Sequence, residues 1–266
     1  MMSSEKKNLF YRILVAVVFI PALVYCFYSG GYFMLFGVLA IVFALASEFT
    51  TIPSISTNPL QEILLVAGAM VLVVFRYANL PIDAFSFVIL FSAAWFLLEL
   101  LRRPMEGSLR RAMVGPFVLI FFALIPSLAF DLKSIHGLYA ILPLMTVWMG
   151  DTMAYAFGKS IGGPKMTPVL SPNKTWAGFS GEIIGTTAVG VAFKLIWPQV
   201  FGWEILIFSI PAGIFAVLGD LFESKVKREM SIKDSSDAIP GHGGFWDRFD
   251  SWLFVQFWAW VVWTIL

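Results

Sequence analysis

Between Ile13 and Ser47 the chain carries no charged residue. An apolar run of that length is not the surface of a soluble globule. Ser29-Gly30-Gly31 interrupts it near the middle, so it reads as two membrane spans joined by a tight turn. The rest of the chain follows suit. Of 266 residues 59% are hydrophobic and 13% charged, against roughly a quarter charged in soluble domains. Mean hydropathy is +0.84. Even a globule of ~300 residues buries only about three quarters of its surface, so this much apolar area needs lipid. Disorder, a collagen-like fibre and a disulfide scaffold are excluded. So is a basic nucleic-acid binder, because 18 Lys and Arg face 17 Asp and Glu. Cys26 stands alone in an apolar run and reads as inert packing. No Ala-x-Ala site follows the first apolar stretch, which is also too long for a cleavable signal, so the first span is retained.

Further spans follow at about 61–74, 83–101, 112–130, 137–157, 174–196, from Trp203 to beyond Asp220, and 247–266. The expected fold is all-α, a polytopic membrane protein of about nine transmembrane helices, the third being the weakest. The alternating ten-residue strands of a membrane barrel are absent. With the N-terminus in the cytoplasm, only Arg76, Lys133 and Lys194 of the 18 basic residues fall outside. This orientation puts the polar loops 158–174 and 225–250 in the cytoplasm and the C-terminus outside. Spans one to five keep ionisable residues at their ends, and Glu48 and Glu99 read as interfacial. Spans six to eight carry Asp151, Glu182 and Asp220 within or beside apolar sequence. A charge there costs several kcal/mol unless it is paired, hydrated or metal-bound. Residues 1–130 therefore read as scaffold and 131–266 as the catalytic region.

The densest polar constellation runs from Gly219-Asp220 through Glu223, Ser224, Lys227, Arg228, Lys233 and Asp234. It continues into Pro240-Gly241-His242-Gly243-Gly244 and Asp247-Arg248-Phe249-Asp250. On a helix, positions 220, 223, 224 and 227 share one face. Asp247 and Asp250 fall in the first turn of the ninth helix, where carboxylates suit the helix dipole. The glycine-rich turn between them offers backbone amides to an oxyanion. Carboxylates from two helix ends facing a basic, glycine-rich loop suit metal-assisted phosphate chemistry. Acidic oxygens hold a hard divalent cation while Lys and Arg neutralise phosphate. An ordinary positively charged loop would explain the Lys and Arg, but not the acidic residues and the glycine turn.

A second constellation is Ser171-Pro172-Asn173-Lys174-Thr175-Trp176. Ser171 or Asn173 suits a helix cap, and Lys174 and Thr175 suit a phosphate at the helix start. The run Gly158-Lys159-Ser160 is no Walker loop, lacking the preceding strand and the upstream glycine. Asp151 and Tyr155, four residues apart, share a face and can line one cavity. Plain interhelical hydrogen bonding explains them equally well.

The run from Ser224 to Asp250 resembles the long C-terminal signature of the phosphatidate cytidylyltransferase (CDP-diacylglycerol synthase) family. Asp151-Thr152-Met153-Ala154-Tyr155 and Ser171–Trp176 resemble that family's upstream motifs. Ala177 departs from the acidic residue expected there. Residues 1–130 match only in being hydrophobic. The resemblance implies a reaction in which CTP and phosphatidic acid give CDP-diacylglycerol and pyrophosphate, with Mg²⁺ and the number of cations open. It implies Asp220 and Asp247 as metal ligands; Lys227, Arg228 and Lys233 join them in the catalytic set as candidates for the phosphates, and His242 reads as a phosphate contact and not an obligatory base. Ser171, Lys174, Thr175, Ser224, Asp234, Gly241, Gly243, Gly244, Arg248, Asp250, Asp151 and Tyr155 are the expected substrate contacts. The expected setting is the inner membrane, with a homodimer as one arrangement and no nucleic acid as partner. Two rivals remain at this point: a CTP- or ATP-dependent polyprenol or phytol kinase, and an anion transporter.

Overall fold

The computed structural model describes residues 18–53, 55, 58–80, 83–102, 105, 107–236, 238 and 243–265. Their contacts divide them into two units. One comprises the chain up to Ser134 together with Ser235–Trp246, and the other comprises Ile135–Asp234 and Asp247–Leu266.

The first unit is helical. α1 (Val18–Ser29) and α2 (Gly31–Thr50) meet at Gly30, whose φ of 74° is left-handed. The expected turn is there, and glycine makes it without a Cβ penalty. α3 (Pro59–Ala78) starts where Asn58 accepts the Gln61 N–H at 2.9 Å, with Pro59 at the first helical position. It is longer than the weak third span expected and ranks among the membrane-length helices. α4 (Ala84–Leu100) is capped by Asp83, whose carboxyl is held below its usual range by hydrogen bonds from Ser86. α5 runs from Ser108 to Ile135 and widens to a π-helix at Val118–Leu124, between Pro116 and Pro126. Proline lacks the N–H that a regular turn needs, and a wider turn relieves the strain. Phe49, Phe117, Phe122 and Trp246 form the aromatic core, with ring centroids 5.0–5.5 Å apart.

Glu48 and Glu99, each in the last turn of its helix, are both buried within the protein. Glu99 pairs with Arg111 at 2.6 Å, and Glu48 accepts hydrogen bonds from the segment 236–246. A carboxylate at a span's end goes inside when donors from elsewhere in the chain replace water.

In the second unit α6 (Gly137–Ser160) leads into an antiparallel hairpin of β1 (Lys165–Thr167) and β2 (Ser171–Thr175). The polar loop expected at 158–174 thus contains a small sheet in an otherwise helical chain. α7 (Trp176–Ile196), α8 (Ile205–Glu229) and α9 (Trp246–Ile265) follow. α6 and α7 lie backbone to backbone. A Cβ on Gly185 would stand 2.7 Å from the Met149 carbonyl and 3.0 Å from the Gly150 Cα. α9 is tied to α8 by the Trp258 indole N–H, which donates to the Phe208 carbonyl at 3.0 Å.

Helices occupy every expected span. Among the described residues, five helices are long and apolar enough to cross a membrane: α2, α3, α5, α7 and α8. The chain is a helical membrane protein on that ground.

Candidate active site

The site lies in the second unit and starts from α8. Its last three turns carry Asp220, Glu223, Ser224 and Lys227 on one face, as the three- and four-residue spacing dictates. Gly219 allows the next step. A Cβ there would lie 2.6 Å from the Asp250 carbonyl and 2.8 Å from the Ser251 Cα, so only glycine lets the first turn of α9 approach α8 this closely. The approach brings Asp250 to Asp220 and Glu223, with one carboxylate oxygen of each within 4.8 Å of the others. Three hard oxygen donors at that spacing fit a divalent cation such as Mg²⁺ or Ca²⁺ and suit no soft metal.

Lysines balance this acidic group. Lys174, from β2, pairs with Asp220 at 2.6 Å, and the Ser224 hydroxyl donates to the other Asp220 oxygen at 3.3 Å. Lys227 is buried between Glu223, at 2.9 Å, and Asp247. The Asp250 carboxylate accepts the Ser251 N–H at 2.7 Å.

Beside this cluster opens a cavity of about 540 Å³, lined by Asp151, Tyr155, Lys159, Ser171, Lys174, Thr175, Glu182 and Asp220 among others. Asp151 and Tyr155 therefore do share a cavity. Lys159 reaches the Tyr155 hydroxyl at 3.3 Å and lies over its ring. Glu182 is buried, and one of its oxygens has no hydrogen-bond partner. Its lining brings the cations Lys159 and Lys174 together with the carboxylates Asp151, Glu182 and Asp220.

The sequence and the structure differ in detail. Asp220 and Asp247 were the expected metal ligands; the carboxylates that stand together are those of Asp220, Glu223 and Asp250, and Asp247 lies beside them, paired with Lys227. Glu223 was on the polar stripe of α8, and its three-residue offset from Asp220 was the signal that the two carboxylates stand together. The cap of α7 is Thr175, whose hydroxyl accepts the Gly178 N–H at 3.1 Å. It is neither Ser171 nor Asn173, because those residues are in β2. Arg228 donates to the Ile232 carbonyl at 3.1 Å at the end of α8, and Lys233, Asp234 and Arg248 are exposed. Gly243 has a left-handed φ of 78°, as a glycine turn requires. Gly244 is buried against Ser235 and Glu48. Gly241 and His242 lie outside the described residues.

Comparison with known proteins bears on this arrangement as a whole. A sequence model of the cytidylyltransferase family matches residues 10–266. The phosphatidate cytidylyltransferase of Staphylococcus epidermidis (strain ATCC 35984) is 35% identical over 188 residues, covering 70% of this chain and 64% of the relative. Proteins of the same name from Bacillus subtilis and Staphylococcus saprophyticus are 40% and 43% identical over 126 and 118 residues. Those stretches cover 46% and 44% of this chain, and 46% and 45% of the relatives. The chain thus spans between about half and two thirds of the length of the curated relatives it matches. A match over nearly its whole length makes this chain a member of the cytidylyltransferase family.

Proposed function

We propose that this chain is a phosphatidate cytidylyltransferase, joining CTP and phosphatidic acid to give CDP-diacylglycerol and pyrophosphate. The observation that carries the reading is the carboxylate group of Asp220, Glu223 and Asp250, flanked by Lys174 and Lys227 at the end of an apolar helix. A lipid phosphate has to be met at the membrane boundary and a nucleotide from the water side. Family membership and the names of its relatives support the same reading.

In this reaction an oxygen of the lipid phosphate attacks the α-phosphorus of CTP. A new P–O bond forms, the bond between the α-phosphorus and its bridging oxygen to the β-phosphorus breaks, and pyrophosphate leaves with that electron pair. A phosphomonoester has its second pKa at about 6, so the nucleophile is already ionised at neutral pH and no strong general base is needed. The residues' work is therefore to bind, orient and balance charge. Lys174, Lys227, Arg228, Lys233 and Arg248 are the phosphate-facing cations in this reading, with Ser171, Thr175 and Tyr155 lining the substrate cavity. His242 is a phosphate contact. Asp220, Glu223 and Asp250 would hold Mg²⁺, with Asp247 beside them through Lys227. A bound divalent cation supplies positive charge to offset that of the phosphates and the departing pyrophosphate. When phosphates and cation are bound, Lys174 and Lys227 exchange carboxylate partners for phosphate oxygens.

The same reading includes about nine spans in the inner membrane, a cytoplasmic site, an N-terminal scaffold and a C-terminal catalytic region. It allows a homodimer. The test is the position of an isotope. Detergent-solubilised protein with Mg²⁺, phosphatidic acid and α-³²P-CTP should yield a labelled chloroform-soluble product, while γ-³²P-CTP labels only water-soluble pyrophosphate. Chelation should abolish both. The γ label in the lipid would make the protein a lipid kinase, and no transfer to any phospholipid would favour a transporter.

A further inference from the structure

Glu48 sits in the last turn of α2, far in sequence from every motif of the site, and is only 7% exposed. Its Oε2 accepts the Ser236 hydroxyl at 2.6 Å and the Phe245 N–H at 2.7 Å, and its Oε1 accepts the Trp246 N–H at 2.9 Å. Trp246 is the first residue of α9. The first N–H groups of a helix have no partner within it and carry the positive end of its dipole, so they are ordinarily met by a capping side chain just upstream. Here the upstream residues are Gly243, Gly244 and Phe245, none of which has a side-chain acceptor. A carboxylate from α2 does the capping instead. Gly244 packs so closely on it that any Cβ would overlap Glu48 and the Ser235 hydroxyl. Both ends of the segment Ser235–Trp246 are thus gathered at one buried charge.

We propose that Glu48 is a positioning residue for the reaction. By holding the Phe245 and Trp246 amides, it orders the backbone from which the chain continues directly into Asp247 and Asp250. The inference rests on the cytidylyltransferase reading for what that turn does, though not for the clamp itself. Holding Trp246 in place would not need a charge, because its ring already packs on Phe49 and Phe122. Burying a carboxylate is costly unless its hydrogen bonds are good, and what those bonds add to apolar packing is direction.

The test uses the full chain in lipid nanodiscs, comparing wild type with Glu48→Gln and Gly244→Ala, and with Glu62→Gln as the control. Amide hydrogen exchange over residues 243–250 is measured without nucleotide or metal. The Mg²⁺ concentration for half-maximal cytidylyl transfer is measured separately. Glu48→Gln should speed exchange in that segment roughly tenfold or more, the scale of a lost charge-assisted hydrogen bond. It should also raise the half-activating Mg²⁺ several-fold, and Gly244→Ala should do the same by pushing the clamp apart. Exchange that is unchanged in Glu48→Gln overturns the clamp. Faster exchange with an unaltered Mg²⁺ requirement reduces Glu48 to a structural anchor and overturns its positioning role. Wild type that transfers no cytidylyl group refutes the functional reading, and the positioning role with it, while the exchange measurement still decides the clamp. Glu48→Gln is nearly isosteric, so it remains informative if Gly244→Ala does not fold.

Discussion

Asp220 is the residue on which most of the site's geometry converges. It joins Glu223 and Asp250, receives Lys174 from β2 and is held by Ser224. Replacing its carboxylate by an amide keeps the shape and removes the charge that a hard cation needs. Asp220→Asn and Glu223→Gln should each lower turnover by about two orders of magnitude or more, while the protein still inserts and purifies. Asp83→Asn, which keeps an acceptor at the cap of α4, should stay within about twofold of wild type. Steady-state rates across a Mg²⁺ titration check this, and near-normal turnover in Glu223→Gln would remove it from the metal-holding group. At this scale the sequence was partly legible. The stripe at 220, 223, 224 and 227 follows from helix periodicity alone. The exchange of partners between Asp247 and Asp250 does not, because it depends on how α9 is rotated against α8. Glu48 was not legible at all, since its partners lie in a different part of the chain.

The helices were easier to read than the site, because apolar runs bounded by charges and glycines leave little choice of place. α1 to α9 fall where those runs fall, and the turn at Gly30 is where Ser29-Gly30-Gly31 put it. The hairpin was not readable. β1 and β2 are three and five residues long, polar and without alternating apolar positions, so they carry no strand signature. Their effect is local: β2 ends at Thr175, which caps α7, and it carries Lys174 toward Asp220. α7 must in turn lie close on α6, and that packing can be tested. Gly185→Leu forces a side chain into the Met149 carbonyl and the Gly150 backbone. It should destabilise the protein by about 1–3 kcal/mol or more, since backbone cannot yield as a side chain does. Ala188→Leu, on the exposed face of the same helix, should leave stability nearly unchanged. Thermal unfolding in a mild detergent distinguishes them, and equal effects at the two positions would mean that α6 and α7 do not pack backbone to backbone.

Orientation across the membrane belongs to the chain as a whole, because it is set by how charge is distributed among all the loops. Five helices qualify as spans by length and composition. α9 is 20 residues long, but it opens on Asp247, Arg248 and Asp250 and is rich in Trp, which hydropathy indices rate low. Its aromatic faces are nonetheless apolar, and indole rings are at home near the membrane boundary. The charge pattern decides what it does. Arg76, Lys133 and Lys194 are all that an N-terminus-inside orientation leaves outside, whereas the reverse orientation would send the Lys- and Arg-rich segments at 102–111 and 225–248 across the membrane. Under the proposed function the site must also face the cytoplasm, where it would meet CTP. With 225–245 inside, a spanning α9 delivers its far end to the outer face. A reporter active only outside should therefore be active when fused after Leu266 or inserted between Trp197 and Glu204, and silent when inserted in 161–170. A cytoplasmic reporter should give the mirror image. Cytoplasmic activity after Leu266 together with an outside signal at 197–204 would mean that α9 turns back or lies along the surface. If 197–204 also reports as cytoplasmic, the error lies earlier in the chain, in the number of crossings before α7.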